Sequence, residues 1–152
     1  MIFRGAADYP DYRKLSADLL FKWNGFSLLA EYVNATANGL NGLYVEKDEG
    51  AKLKPRQIAN YLALGNGLNV QAGYLFRKLW ALDVAYSKVN PEWKETGQSV
   101  LREADNITFG ASKYFNNNTF KLQLAGSYTS YNQLVGAGSK EFQVKLNLHI
   151  LF

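Results

Sequence analysis

Seven charged or titratable side chains stand at positions where they could act on a solute. Each has an apolar residue on either side of it, so in extended strands these side chains would all lie on the face opposite to the apolar residues. Lysines on such a face attract anions, carboxylates attract cations, and a histidine can also carry a proton. These seven candidates are Lys22, Lys121, Lys145, Asp18, Glu31, Asp83 and His149.

The same residue types offer little for catalysis. His149 is the single histidine, cysteine is absent, and nothing in the spacing places two of the carboxylates together for acid/base work. Gly65-Asn66-Gly67 has the composition of a phosphate loop, but no helical pattern follows whose N-terminus could bind an anion. We therefore predict a protein that is not an enzyme and that has no cofactor or metal.

The segments that carry these side chains alternate between apolar and polar residues. From Phe142 to Phe152 every second residue is apolar, a period of two that is typical of a β-strand and not of a helix. Weaker or shorter copies of the pattern predict six further strands, and no segment predicts a helix. The predicted strands span residues 14–24, 26–34, 66–76, 79–89, 106–115, 119–131 and 140–152 of a single domain over residues 1–152.

Short and long connections alternate between these strands, which predicts an antiparallel up-and-down sheet. Asn24-Gly25 is a favoured dipeptide for a two-residue hairpin turn, and Arg77-Lys78 and residues 116–119 are the other short connections. The long connections begin near residues 35, 91 and 132.

Composition excludes several classes of protein. The 152 residues are 47% hydrophobic and carry a net charge of +4, which excludes a disordered chain and gives no basis for binding nucleic acid. No apolar run approaches the roughly 20 residues of a membrane-spanning helix. An all-β domain with an unusually high aromatic content of 14% remains.

Two all-β architectures fit the alternation. A soluble lipid-binding barrel would bury the apolar face, whereas an outer-membrane barrel would turn it towards lipid. Sparse charge on the polar face, short turns at one end with long loops at the other, and aromatic residues at the strand ends together favour the membrane barrel. The aromatic residues expected at the membrane interface are Trp23, Phe26, Tyr74, Phe76, Trp80, Phe115 and Phe120.

Residues 17–32, with the sequence ADLLFKWNGFSLLAEY, resemble a hairpin of the phosphate-selective porins of the O and P type. Residues 70–74 and 84–87, and residues 107–116 followed by 121–124, are similar to later strands of that family, in the same order. The resemblance implies a weakly selective diffusion channel for small anions and other solutes in the outer membrane of a Gram-negative bacterium. It also implies a large barrel of 16–18 strands, commonly a homotrimer, in contact with lipid and lipopolysaccharide.

On this interpretation the seven candidate side chains line the pore, and Phe152 forms the C-terminal signal for the outer-membrane assembly machinery. Three lysines balance three carboxylates, so we expect mild selectivity. The family is associated with a ladder of arginines along the pore wall. Here the arginines lie at strand ends, in turns or in loops, which argues against tight phosphate selectivity. They are Arg4, Arg13, Arg56, Arg77 and Arg102.

The number of strands leaves two expectations open. Bacterial single-chain barrels have even strand numbers with both ends in the periplasm, so seven strands predict that this chain is the C-terminal part of a larger barrel. Alternatively, Ile2 to Ala7 makes a short eighth strand and closes a small outer-membrane barrel without a pore. The soluble lipid-binding barrel is the further alternative.

Overall fold

The computed structural model describes residues 2–4, 10–40, 43–45, 48–77, 79–94, 101–115, 120–132 and 139–150. Strands dominate this part of the chain. They are β1 (Ile2–Arg4), β2 (Asp11–Trp23), β3 (Phe26–Asn38), β4 (Leu43–Val45), β5 (Asp48–Lys52), β6 (Gly65–Phe76), β7 (Trp80–Pro91), β8 (Ala104–Phe115), β9 (Phe120–Tyr131) and β10 (Ser139–Ile150).

Seven of these strands form one antiparallel sheet in the order β2-β3-β6-β7-β8-β9-β10. Each strand pairs with the next one of the sheet along the chain, so the all-β, up-and-down prediction is confirmed. Strands β2 and β10 are the two edges, and the described sheet is not closed into a barrel. The seven strands are those that the alternation predicts, and their ends differ from the predicted ones by four residues or fewer.

Three short strands and a helix were not predicted. Strand β1 pairs with β4, and β4 pairs with β5, in a separate three-stranded sheet. Ile2–Arg4 therefore does not add an eighth strand to the large sheet. The expectation of no helix was wrong for α1 (Pro55–Ala59), where Pro55 supplies the preset backbone angle of a first helical residue. No helix in the described part of the chain is long and apolar enough to span a membrane.

Tight turns close the short ends of the hairpins. Asn24 and Gly25 both have positive φ, at 44° and 85°, which gives the β2–β3 hairpin the twist of a type I′ turn. Arg77 adopts a positive φ of 47° between β6 and β7, and the amide of Leu79 donates to the carbonyl of Phe76 at 2.9 Å. Residues 116–119, the third predicted short turn, lie outside the described residues.

Successive turns are staggered along the sheet. Phe26 lies opposite Tyr74, and the next hairpin closes two residues further on, at Phe76 and Trp80. Trp80 lies opposite Lys113, and β8 again continues for two residues beyond that pair. Two residues correspond to roughly 6.6 Å along a strand, and a hairpin of two strands is about 9.6 Å wide. A line through successive turns therefore makes an angle of about 35° with the hydrogen-bond direction.

The register gives the sheet two chemically distinct faces. The side that carries Trp23, Leu82 and Leu124 is called the apolar face. The side that carries Lys22, Asp83 and Gln123 is called the polar face. Every buried residue of the seven strands lies on the polar face. These residues are Ala35, Gly73, Ala81, Pro91 and Ser112.

The apolar face is exposed across all seven strands. Trp23 is 70% exposed, Phe109 60% and Phe142 72%, although these are large apolar side chains. Crowded small residues on one side and splayed large residues on the other indicate that the polar face is the concave side of the sheet. Apolar side chains of the described residues are buried mainly near the long loops, where Leu43, Ile58 and Leu64 lie.

Candidate functional site

All seven predicted solute-contacting residues lie on the polar face. Cross-strand pairing arranges the side chains of this face in rungs, each of which holds the residues that lie directly opposite one another on successive strands. Neighbouring rungs are two residues apart, or roughly 6.6 Å along a strand. Three rungs carry the seven candidates.

The first of these rungs, which we call the acidic rung, brings two carboxylates together. Asp18 of β2 lies directly opposite Glu31 of β3. Glu31 Oε2 in turn accepts a hydrogen bond of 2.7 Å from Nδ2 of Asn69 on β6. The rung continues through neutral side chains and ends in a third carboxylate. Its residues beyond Asn69 are Ser87, Asn106, Thr129 and Glu141.

Sequence reasoning missed the Asp18–Glu31 pair, although the signal was present. A two-residue turn at Asn24-Gly25 makes Trp23 and Phe26 direct neighbours, and each step back along β2 is matched by a step forward along β3. Five steps from that pair lie Asp18 and Glu31. The two carboxylates therefore follow from the turn type alone.

A second rung holds Lys22, Asp83 and Lys145. It lies four residues closer to the short turns than the acidic rung, with one uncharged rung between them. Asp83 sits between two glycines, Gly73 on β6 and Gly110 on β8. A Cβ atom at Gly73 would collide with Asp83 Oδ1, so the missing side chain creates the space for the carboxylate. No ion pair within the described residues joins the three charged members of this rung.

The third rung lies beside the short turns. Lys121 is directly opposite His149 on one side and Tyr114 on the other. Its Nζ atom lies 5.3 Å from the centre of the Tyr114 ring, within the range of a cation–π contact. Lys22 and Lys121 each stand one residue from the turn end of their strand, whereas Asp18 and Glu31 stand five residues away from it.

A recess of about 660 Å³ runs over the polar face and touches six neighbouring strands. Charged and amide side chains, including Lys22, Gln71, Asp83 and Lys121, line it together with small residues. A surface of this kind can hold water and solvate ions of both signs. In the described part of the chain, no three carboxylates or histidines are grouped so as to bind a metal ion.

The predicted interfacial aromatic residues lie on the opposite face, close to the short turns. Phe115 and Phe120 contact at 5.1 Å between ring centres across their hairpin, and Tyr74 and Phe76 at 4.6 Å along β6. Trp23 lies opposite Phe26, and Trp80 opposite Phe76. Phe152, the predicted assembly signal, is outside the described residues.

The long-loop end of the apolar face becomes polar. Tyr86 donates a hydrogen bond of 2.6 Å to Asp105 Oδ1, and Lys88 forms an ion pair with the same oxygen at 3.5 Å. Asn90 Nδ2 donates to Asn66 Oδ1 at 2.9 Å. The exposed apolar surface is therefore a band, bordered by aromatic rings at the short turns and by polar groups at the long loops.

Comparisons with protein-family models, with curated proteins and with solved structures find no match to this chain.

Proposed function

We propose that this chain forms part of the wall of a water-filled, weakly selective diffusion channel in the outer membrane of a Gram-negative bacterium. The polar face would line the channel, and the apolar face would contact lipid. On this proposal small anions and other small solutes pass without chemical change, and the resemblance to phosphate-selective porins of the O and P type suggests phosphate among them.

The observation that carries the proposal is the exposed apolar band, which spans all seven strands of the sheet. Soluble proteins seldom expose a contiguous apolar patch above a few hundred square ångströms, and here large apolar side chains are exposed on one face of seven neighbouring strands. A soluble lipid carrier would instead enclose its apolar side chains around a ligand, and the described sheet is not closed. The stagger of the turns supports the proposal further, because a tilt of about 35° falls in the range of transmembrane barrels.

The charges on the polar face favour weak selectivity over tight phosphate binding. Lysines and carboxylates are mixed on neighbouring rungs, so neither sign forms a complete ring. None of the described arginines adds to this face: Arg13 pairs with Asp11 at 3.0 Å on the opposite side, and Arg77 lies in a turn. The small closed barrel without a pore is disfavoured, because Ile2–Arg4 pairs with β4 and not with β10.

Planar-bilayer recording tests the channel directly. The full chain should give ohmic channels with a small reversal potential under a salt gradient. Changing both Lys121 and Lys145 to Glu should move that potential towards the value for cations, because two positive charges on the channel wall become negative.

Lys140→Glu provides the matched control, since Lys140 lies on the same strand as Lys145 but opposite Ser130 on the other face. Its reversal potential should equal that of the unaltered chain. Absence of any conductance would contradict the channel, and an unchanged potential in the double variant would exclude these two lysines from selectivity.

A further inference from the structure

One positive charge lies within the apolar face near the short turns. Lys113 of β8 is directly opposite Trp80 on one side and Leu122 on the other. Among the described residues, the other charged side chains of that face stand at its long-loop end, beyond the tyrosines. A lysine in a lipid-facing band is costly unless its ammonium reaches a polar layer or a partner.

Two aromatic rings hold the ammonium of Lys113. Its Nζ atom lies 4.8 Å from the centre of the Trp80 ring and 4.9 Å from that of Phe115. Both distances are within the roughly 6 Å over which a ring face attracts a cation. No carboxylate in the described part of the chain pairs with Lys113, so no described residue neutralises its positive charge.

The site lies at the level where lipid headgroups would be. Trp80 and Phe115 stand at strand ends beside the short turns, and tryptophan favours the boundary between headgroups and acyl chains. Arg77, in the turn that precedes Trp80, adds a second exposed positive charge. The stem of a lysine can follow the apolar surface while its ammonium reaches the headgroup layer.

We propose that Lys113, held between Trp80 and Phe115, docks the phosphate of an anionic phospholipid in the membrane leaflet at the short-turn end of the sheet. The inference rests on the membrane location proposed above but not on conduction. The aromatic rings fix the ammonium in place, and the unneutralised charge selects a headgroup that carries net negative charge. The ion-paired Lys88 at the opposite border lacks both features.

Tryptophan quenching measures this docking. In the full chain, Trp23→Phe and Trp93→Phe leave Trp80 as the one remaining fluorophore of the three tryptophans. The protein is inserted into phosphatidylcholine vesicles that contain, at equal mole fraction, brominated phosphatidylglycerol or brominated phosphatidylcholine. Quenching should give about a fivefold higher relative association for phosphatidylglycerol, the ratio expected from one lysine beside an anionic lipid surface.

Lys113→Met should bring the two lipids to equal association, and Lys113→Arg should retain the preference because the charge remains. Lys88→Met is the matched control on the same face and should also retain it. Far-ultraviolet circular dichroism shows whether each variant keeps its β-structure. A preference that persists in Lys113→Met, or that is absent from the unaltered chain, overturns the proposal.

Two further measurements separate the possible sources of error. If millimolar inorganic phosphate abolishes the preference, the site binds a free anion and the lipid assignment is wrong. Conductance is recorded from the same vesicles: a lipid preference without channels refutes the channel and leaves the docking site, whereas channels without a preference refute the docking site. Quenching by neither lipid refutes the membrane location and the docking site with it.

Discussion

At the residue scale, the polar face contains a like-charge pair that the fold must tolerate. Asp18 and Glu31 are direct cross-strand neighbours, and like charges in that position destabilise a sheet. Asn69 relieves part of the cost, because its amide donates to Glu31. A pair of this kind is expected where contact with solute matters more than stability, which agrees with a place for this rung on the wall of the proposed channel.

Asp18→Asn should therefore stabilise the sheet. The change removes one charge of the pair and leaves the Asn69–Glu31 hydrogen bond intact, so we expect a gain of about 0.5 kcal/mol in the free energy of unfolding. Urea unfolding of the vesicle-inserted protein, followed by tryptophan fluorescence, measures it. Ser16→Asn, on the same strand and face but opposite Val33, should have no such effect. A loss of stability in Asp18→Asn would contradict this explanation.

At the scale of elements, β6 begins at a position that requires glycine. Gly65 has a φ of +135°, and a Cβ there would collide with the carbonyl oxygen of Asn90 and lie 2.8 Å from Pro91 Cα. The close approach joins the start of β6 to the end of β7, next to the bond from the Glu92 amide to the Leu64 carbonyl at 3.1 Å. The Gly65-Asn66-Gly67 segment therefore has a structural role, because Gly65 allows the start of β6 to lie close to the end of β7.

Gly65→Ala should destabilise the protein by about 1–3 kcal/mol, through a strained backbone and a contact with main-chain atoms that cannot move away. Gly67→Ala is the matched control: it lies two residues further along the same face, and its Cβ would meet only the Lys88 carbonyl oxygen at 3.8 Å. We expect it to be neutral or to stabilise by under about 1 kcal/mol. Equal urea midpoints for the two variants would refute the close approach.

At the scale of the whole molecule, curvature and tilt give the sheet an inside and an outside. Small polar-face residues such as Ala81 and Ser112 are buried, while large apolar ones such as Phe109 stay exposed. The staggered turns bring the terminal aromatic rings of successive hairpins to one level, although they occupy different rungs. Exposure of the apolar band to water is unfavourable, and burial of the band in lipid would remove that unfavourable free energy.

Spin labels on neighbouring residues of β9 test this arrangement. The chain has no cysteine, so single labels can be attached at Gln123→Cys and Leu124→Cys, on a strand that is paired on both sides. In vesicles the label at position 124 should collide with dissolved oxygen and not with a water-soluble nickel chelate, and the label at 123 should show the reverse. A label at 124 that meets neither reagent would indicate a protein core and contradict the lipid-facing surface.

The sequence predicted the seven strands and their two faces because the period of two is a local property of an extended chain. Strand ends were harder to predict, since the hydrogen-bond ladder continues past the apolar pattern into polar pairs such as Arg13 with Thr36. The small sheet was missed because β1 and β4 are three residues long and far apart in the chain. Helix α1 could have been predicted from one feature of the sequence, Pro55 at its first position.

Register is determined by the sequence only where a turn is short. The Asn24-Gly25 turn fixes which residues of β2 and β3 meet, and it thereby determines the Asp18–Glu31 pair. Long loops leave the register of the strands they join free, so contacts such as Lys121 with His149 are decided by packing across the whole sheet.

The direction of curvature is likewise a tertiary property. Alternation assigns residues to two faces but cannot say which face is concave, because that depends on how side-chain volumes on seven strands fit together. The tertiary structure also decides that the ammonium of Lys113 meets the rings of Trp80 and Phe115, which come from two strands. Side-chain period is set by each residue and its neighbours in the chain, whereas shape and contact depend on residues that only folding brings together.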